Sequence, residues 1–189
     1  YIPAKKTFLS GGHFHGQPLA MAIDLLIIGV SYLSSISERR IARLLDHNVS
    51  GLPAHLTSDP GLNSGLMILQ LTSAALAAEN RNLANPSSVA SIPTSANQED
   101  LVSMGMNSGL KFLHILENLE RILAIEMISA CQGIEFLRPL RSSPIIEKVY
   151  QRVRRIVPFI RRDTELSRYV EEMANQIAGQ GLTSGIRID

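Results

Sequence analysis

The spacing of the apolar residues constrains the fold of this chain most strongly. Along most of the sequence they recur at the three-to-four-residue spacing of a helix, and the alternation typical of a strand is almost absent. The stretch from Leu19 to Leu33 is apolar almost throughout, with Asp24 and Gly29 as its main interruptions. It is shorter than the ~20 residues that a membrane-spanning helix needs, and it contains a charge. We therefore predict a helix that is buried on all sides and continues, as an amphipathic helix, to about Asp46.

Further helices are predicted by the same spacing of apolar residues. They cover residues 66–83, a long stretch that ends near Leu137, and two shorter stretches at 145–157 and 164–178, the last with Asp163 as its N-cap. Glu126 falls on the apolar stripe of the long helix, where we favour a structural ion pair over a polar pocket. The fold class is therefore all-α, built of long, near-parallel helices. Their apolar surface exceeds what one small bundle can bury, which predicts oligomerisation or a missing partner segment.

Composition limits the classes of function. The 189 residues suffice for one domain, and a net charge of +1 gives no reason to expect a nucleic acid as partner. Cys131 is the only cysteine, which excludes an intrachain disulfide and fits a reducing, cytoplasmic compartment. No signal peptide is recognisable, and the chain starts with Tyr1 close to a glycine-rich loop. We expect residues 1–189 to be one helical part of a longer protein, with a mobile glycine-rich tail at 179–189.

The segment from Ser91 to Met104 is unusually polar for a chain of mostly buried helices. Asn97, Gln98, Glu99 and Asp100 follow one another within it. Asn97 can cap a following helix, which would place both carboxylates in the first turn, where the helix dipole favours negative charge. Clustered hydrogen-bonding groups at a helix end can equally form a binding site. From the spacing alone, the cap is the favoured interpretation.

A second polar segment, Ser10 to Pro18, reads Ser-Gly-Gly-His-Phe-His-Gly-Gln-Pro. Its glycines allow tight turns or a close approach of the backbone to a ligand. His13 and His15 lie too close together to form a metal site, and no carboxylate stands at a matching spacing. We expect no metal here, and the pair by itself indicates a solvated loop.

Several of these segments, taken in order, resemble the C-terminal part of the aromatic amino acid ammonia-lyase family, and within it the members that act on histidine. The resemblance runs from Leu9 to about Pro158 and is specific because order and spacing are preserved. The matching segments are Ser10–Pro18, Ile36–Ile41, Ser50–Pro53, Asn63–Ile68, Ile92–Met104 and Leu123–Glu126.

The resemblance implies an all-α, tetrameric enzyme whose active sites are each lined by several subunits. It implies elimination of ammonia from L-histidine to give trans-urocanate, using a methylidene-imidazolone ring that forms from an internal Ala-Ser-Gly. No Ala-Ser-Gly occurs in this chain. We therefore expect the ring and the tyrosine base to lie outside it, and the chain alone to be inactive.

The resemblance also assigns site residues. Glu99 matches the carboxylate near the substrate amine and side chain, where it is expected to be catalytic, and Phe14 matches the aromatic residue of the substrate pocket. Asn97 and Gln98 are expected to support Glu99, and His13 completes the predicted substrate-binding set. A carboxylate at this position suits an imidazole substrate.

The chain departs from the family pattern at four positions. His13 stands where Asn is usual, Leu101 where His is usual, Ala90 where Asp is usual and Asn85 where His is usual. His13 and Leu101 favour one alternative, which is a related aromatic amino acid lyase or an aminomutase. The other alternative is a non-catalytic helical assembly subunit.

Overall fold

The computed structural model describes residues 1–185, except for the side chain of His13. Apart from isolated bridges, regular structure within these residues is helical, which confirms the all-α prediction. The α-helices are α1 (Gln17–Leu45), α2 (His47–Ser50), α3 (Met67–Leu83), α4 (Gly105–Phe136), α5 (Pro144–Ile156) and α6 (Ser167–Ala178).

The long helices α1 and α4 form the centre of the molecule and run in the same direction. A methyl group placed on Gly105, at the start of α4, would lie 3.6 Å from the Cβ of Ala20, at the start of α1. Twenty-one residues further along α4, Glu126 accepts hydrogen bonds from Ser37 and Arg40 of α1. The N-terminal ends of both helices therefore lie at the same end of the bundle.

Helix α3 packs against both long helices in the opposite direction, through a buried polar network. Asn80 of α3 donates to the Ser34 hydroxyl of α1 at 2.8 Å and accepts from Asn118 of α4 at 3.0 Å. Asn80 and Ser34 are fully buried. Because buried polar groups are costly unless they are bonded, this network fixes how the three helices sit against one another.

The apolar core lies beside this network, between α1, α3, α4 and the two C-terminal helices. Its largest fully buried side chains include Ile41, Leu66, Ile122, Ile125, Ile128, Val153 and Met173. Ile122, Ile125 and Ile128 recur every three residues along α4, as expected for one inward-facing stripe.

The prediction that α1 is buried on all sides is wrong for this chain. Only one stripe of α1 is buried, at Ala20, Asp24, Ile27, Ser31, Ser34, Ser37, Glu38, Ile41 and Leu45. The other faces expose large apolar side chains, among them Leu19, Met21, Leu25, Leu26, Tyr32, Leu33 and Ile36. A run with large apolar side chains on every side does not indicate which face packs within the same chain.

Asp163 does not cap the last helix, contrary to the prediction. Helix α6 begins at Ser167, and the carboxylate of Asp163 instead accepts hydrogen bonds from the backbone N–H groups of Ser64 and Gly65, at 2.8 and 2.9 Å. The carboxylate thus fastens the segment before α3 to the segment before α6. The spacing of residues around Asp163 could not reveal this role, because the N–H groups that it binds lie almost 100 residues earlier in the sequence.

The C-terminal segment is only partly described. Residues 179–185 form turns, Leu182 is buried, and its carbonyl accepts a hydrogen bond from Arg152 at 2.7 Å. The rest of the predicted mobile tail, residues 186–189, lies outside the described residues.

Candidate functional site

The loop before α1 presents an aromatic side chain at the surface. A short turn at His13–His15 leads into Gly16, whose φ of +78° lets the chain turn sharply into the helix. Phe14 is 85% exposed, so its ring is free to contact another segment or a ligand. The side chain of His13 falls outside the described part of the structure, so its predicted role stays a prediction.

The segment from Ser91 to Met104 is not the first turn of a helix, so the cap prediction for Asn97 is wrong. Helix α4 begins only at Gly105, and Met104 precedes it in a left-handed conformation. Glu99 and Asp100 therefore lie before the helix rather than in its first turn. The short side chain of Asn tolerates the left-handed region, and Asn97 adopts that conformation here.

A tight left-handed turn presents Glu99. Ser95, Ala96 and Asn97 have φ values of 53°, 54° and 66°, and the turn is closed by backbone hydrogen bonds between Thr94 and Glu99, at 2.9 and 3.3 Å. A left-handed conformation costs an L-residue roughly 1–2 kcal/mol. Such strain persists only where the surroundings hold it, and it clusters at functional sites.

The two polar segments meet at one end of the bundle. Nε2 of His15 forms a hydrogen bond with the backbone carbonyl of Leu101, across 86 residues of sequence. The hydroxyl of Ser91 accepts from the N–H of Val102 at 2.9 Å, which ties the start of the polar segment to its end. The fold therefore brings together the loop of Phe14 and the turn of Glu99.

A buried carboxylate supports the segment that leads into the Glu99 turn. Asp24 of α1, 3% exposed, accepts from the N–H of Ser88 at 2.8 Å, and Gln17 donates to the carbonyl of the same residue at 3.2 Å. Burial by itself raises the pKa of Asp24, but the hydrogen bond from Ser88 and the nearby polar groups of Ser108 and Ser87 outweigh it, so the pKa lies below its ordinary value. Asp24 therefore stays ionised and holds this segment against α1.

The predicted site side chains are exposed. Asn97, Gln98 and Glu99 lie at the surface, and none of their side-chain polar atoms is bonded to a described side chain or backbone group. An exposed carboxylate of this kind is free to accept a hydrogen bond from an ammonium or imidazole N–H group. No group of three or more His, Cys, Asp or Glu side chains able to hold a metal ion occurs among residues 1–185 as described.

The cavities found among the described residues lie elsewhere, and two of them matter here. One of about 500 Å³ lies between α3 and the start of α6, and one of about 370 Å³ lies beside Arg40 and Glu126. Phe14 and Glu99 line neither of them. Glu126 is held by Ser37 and by both Nε and Nη2 of Arg40, at 2.5, 2.5 and 3.0 Å, so the structural ion pair predicted for it is confirmed.

A family model for aromatic amino acid lyases matches residues 2–155, which includes both polar segments. The chain belongs to this family. Among curated proteins, it is 47% identical over 173 residues to histidine ammonia-lyase of Caenorhabditis elegans, and 50% identical over 173 residues to that of Rhodospirillum rubrum. Each match covers 92% of this chain, but only 26% and 34% of the relative. The chain thus spans about a quarter to a third of the length of the curated relatives.

Solved structures of the family have the same fold. Histidine ammonia-lyase from Trypanosoma cruzi superposes with a TM-score of 0.90 at 46% identity, over 94% of this chain and 35% of that one. Tyrosine aminomutase from Streptomyces globisporus gives the same TM-score at 34% identity, over 96% and 35%. Lyase and aminomutase therefore share this backbone, and the fold alone does not distinguish between them.

The sequence did not single out His15, Asp24 or Ser88 as members of the site framework. In the sequence, His15 is only one half of an imidazole pair, and that pair by itself indicates a solvated loop. Its hydrogen-bond partner is a backbone carbonyl. Every residue has one, so the residue type at position 101 could not indicate this contact.

Proposed function

We propose that this chain is the C-terminal part of an enzyme that eliminates ammonia from L-histidine to give trans-urocanate. The observation that carries the proposal is the junction of the Phe14 loop and the Glu99 turn in a chain of the aromatic amino acid lyase family. The similarity to histidine ammonia-lyases across nine-tenths of the chain supports histidine as the substrate.

The methylidene-imidazolone ring of such an enzyme would form outside this chain, because none of its Ser-Gly pairs follows Ala. When present, the ring supplies the electrophile that makes loss of ammonia possible. The described residues fit a lining role for such a group, since Phe14 and Glu99 are exposed at one end of the bundle.

In this proposal, each site residue of the chain has a separate task. The ring of Phe14 packs on the apolar part of the substrate, and the carboxylate of Glu99 either orients the imidazole through its N–H group or accepts a proton from the ammonium group. Gln98 and Asn97 flank the carboxylate, and His13 lies in the loop of Phe14. The reaction removes one β-proton and one ammonia from the substrate, and a base outside this chain takes the β-proton.

Association with further segments or subunits belongs to the same proposal. The outer faces of α1 and α4 expose large apolar side chains, including Leu25, Leu33, Leu110 and Leu113. Exposed apolar side chains that lie together on one helix face are typical of a protein interface. We propose a homotetramer in which neighbouring subunits and the N-terminal part of the same protein cover these faces and enclose the substrate.

The apolar run at residues 19–33 is shorter than a membrane span, but the complete helix α1, with its 29 residues, is long and apolar enough to cross a membrane by length and composition. Core helices of other proteins pass the same criterion, and the buried stripe of α1 contains the charged side chains of Asp24 and Glu38. We assign its exposed face to protein contacts. The compartment we propose is the cytoplasm, where the buried thiol of Cys131 stays reduced; burial raises its pKa to about 11.

The test uses the full-length protein with L-histidine, and follows the rise in urocanate absorbance. Because acid–base groups contribute about 10²–10⁴-fold to rates, Glu99→Gln should lower kcat/KM by that order. Asp100→Asn, which removes the neighbouring exposed carboxylate, is the matched control and should leave the rate almost unchanged.

Two outcomes would overturn parts of the proposal. A wild-type protein that converts tyrosine or phenylalanine, but not histidine, would favour the related lyase or aminomutase, and a β-amino acid product would identify the aminomutase. An upstream sequence without Ala-Ser-Gly, combined with no turnover of any of the three, would favour the non-catalytic assembly subunit.

A further inference from the structure

A single side chain joins the two halves of the candidate site. The His15–Leu101 bond is the one hydrogen bond that links the loop at residues 8–16 with the segment at 91–104, among the bonds made by described atoms. His15 directly follows Phe14 in the sequence, and Leu101 lies two residues after Glu99. The bond therefore spans the gap between the aromatic and the carboxylate part of the site.

The chemistry of the bond fixes which atom carries the hydrogen. A backbone carbonyl can only accept, so Nε2 of His15 must be the donor. Neutral imidazole can place its hydrogen on Nε2, and imidazolium carries hydrogens on both nitrogens. The contact therefore needs an N–H donor at this position, and it does not require a charge on His15.

With this bond, the backbone is held by hydrogen bonds on both sides of the Glu99 side chain. On one side, the backbone of Glu99 is hydrogen-bonded to Thr94 across the left-handed turn. On the other side, His15 holds the carbonyl of Leu101. With both sides fixed, little freedom is left to the backbone that carries the carboxylate. A polypeptide segment held in this way presents its side chain in a prearranged position.

We propose that His15 is a positioning residue, whose Nε2–H group holds the Leu101 carbonyl and thereby sets the place of the Glu99 carboxylate relative to Phe14. The inference rests on the proposed function, because it concerns the same site. An ordinary surface hydrogen bond at this place would affect stability slightly and would leave turnover unchanged.

The experiment uses full-length protein and compares two variants at one position. His15→Phe keeps a planar ring and removes the donor, whereas His15→Gln keeps an N–H donor. Displacing a reacting group by about 1 Å can cost on the order of 10²-fold in rate. His15→Phe should therefore lower kcat by up to that factor with a smaller change in KM, while His15→Gln should retain most of the wild-type kcat. His47→Phe, at an exposed histidine on α2, is the matched control.

A double-mutant cycle separates positioning from general damage. If His15 acts through Glu99, adding His15→Phe to Glu99→Gln should lower kcat no further. The inference would be refuted if the double variant lost kcat by the product of the two single losses. It would also be refuted if His15→Gln were as slow as His15→Phe, or if His15→Phe kept the wild-type kcat. Circular dichroism and the thermal midpoint of His15→Phe, compared with those of His15→Gln, show whether the fold is intact.

The two proposals fail in different ways. Wild-type protein without urocanate formation refutes the proposed function, and with it the role of His15 in that reaction. Active wild-type protein whose kcat does not respond to His15→Phe refutes the positioning role alone.

Discussion

Gln132 offers the sharpest test of how this fold is held together. It lies on α4 with no exposed surface, and its amide makes three hydrogen bonds. Nε2 donates to the carbonyls of Leu56 and Ile160, at 3.2 and 2.8 Å, and Oε1 accepts from the N–H of Ile160 at 3.2 Å. One side chain thus fastens α4 to two separate connecting segments.

The exchange Gln132→Glu keeps the shape of the side chain and removes its two amide donors. An ionised carboxyl group would face two carbonyls without a hydrogen, and a protonated one could serve only one of them. Each unsatisfied buried polar group costs about 1–3 kcal/mol. Two lost donors therefore lower the free energy of unfolding by about 2–6 kcal/mol.

The loss should also depend on pH. Burial among carbonyls raises the folded-state pKa of the introduced carboxyl above its unfolded value of about 4.3. For such a group, the relative stability is highest below the unfolded pKa and falls as the pH rises through the folded-state pKa. The difference from the wild type should therefore be larger at pH 7 than at pH 4.

Urea denaturation of the full-length protein, followed by far-ultraviolet circular dichroism, measures this difference. Gln151→Glu, at an exposed position on α5, makes the same chemical change at the surface and should alter the unfolding free energy by less than about 0.5 kcal/mol. Equal stabilities of Gln132→Glu and Gln151→Glu would refute the reasoning.

Two further predictions concern surface features. A bidentate bond from Arg138 and an N–H bond from Ser142 lower the pKa of Glu147 from 4.5 to about 2, so this carboxylate stabilises the fold above pH 4.5 and its contribution is lost as the pH falls towards 2. Acid titrations by circular dichroism should show a weaker pH dependence for Glu147→Gln over that interval, and an unchanged titration would contradict the assignment. In the turn before Glu99, Ala96→Val should lower both stability and turnover, because a β-branched residue strains at a φ of 54°, whereas Ala96→Gly should not lower stability. Equal melting temperatures for these two variants would argue against strain in the turn.

The sequence predicted the helices well because helical periodicity is a local property. The predicted ranges 66–83 and 145–157 correspond to helices at Met67–Leu83 and Pro144–Ile156, and the predicted end near Leu137 lies one residue beyond the end of α4. The pairing of Glu126 was also predictable, since a carboxylate on an apolar stripe requires a partner.

The predictions that failed involve contacts that are not local. Asp163 has the residue type of an N-cap, but its carboxylate binds backbone N–H groups that precede α3. Asn97 has the type of a cap as well, but it occupies a left-handed turn seven residues before Met104. In both cases the residue type permits two roles, and the position of another segment decides between them.

For this protein, the sequence by itself determined the fold class, the family and the two segments that carry the candidate site. Periodicity and motif order are properties of the chain, so they could be read before any contact was known. Only the tertiary structure decided that these segments meet, that His15 joins them and that Glu99 stands on a strained turn. Those features depend on the parallel packing of α1 and α4 and on hydrogen bonds to backbone atoms. Every residue has the same backbone donors and acceptors, so the sequence does not show which of them form these bonds.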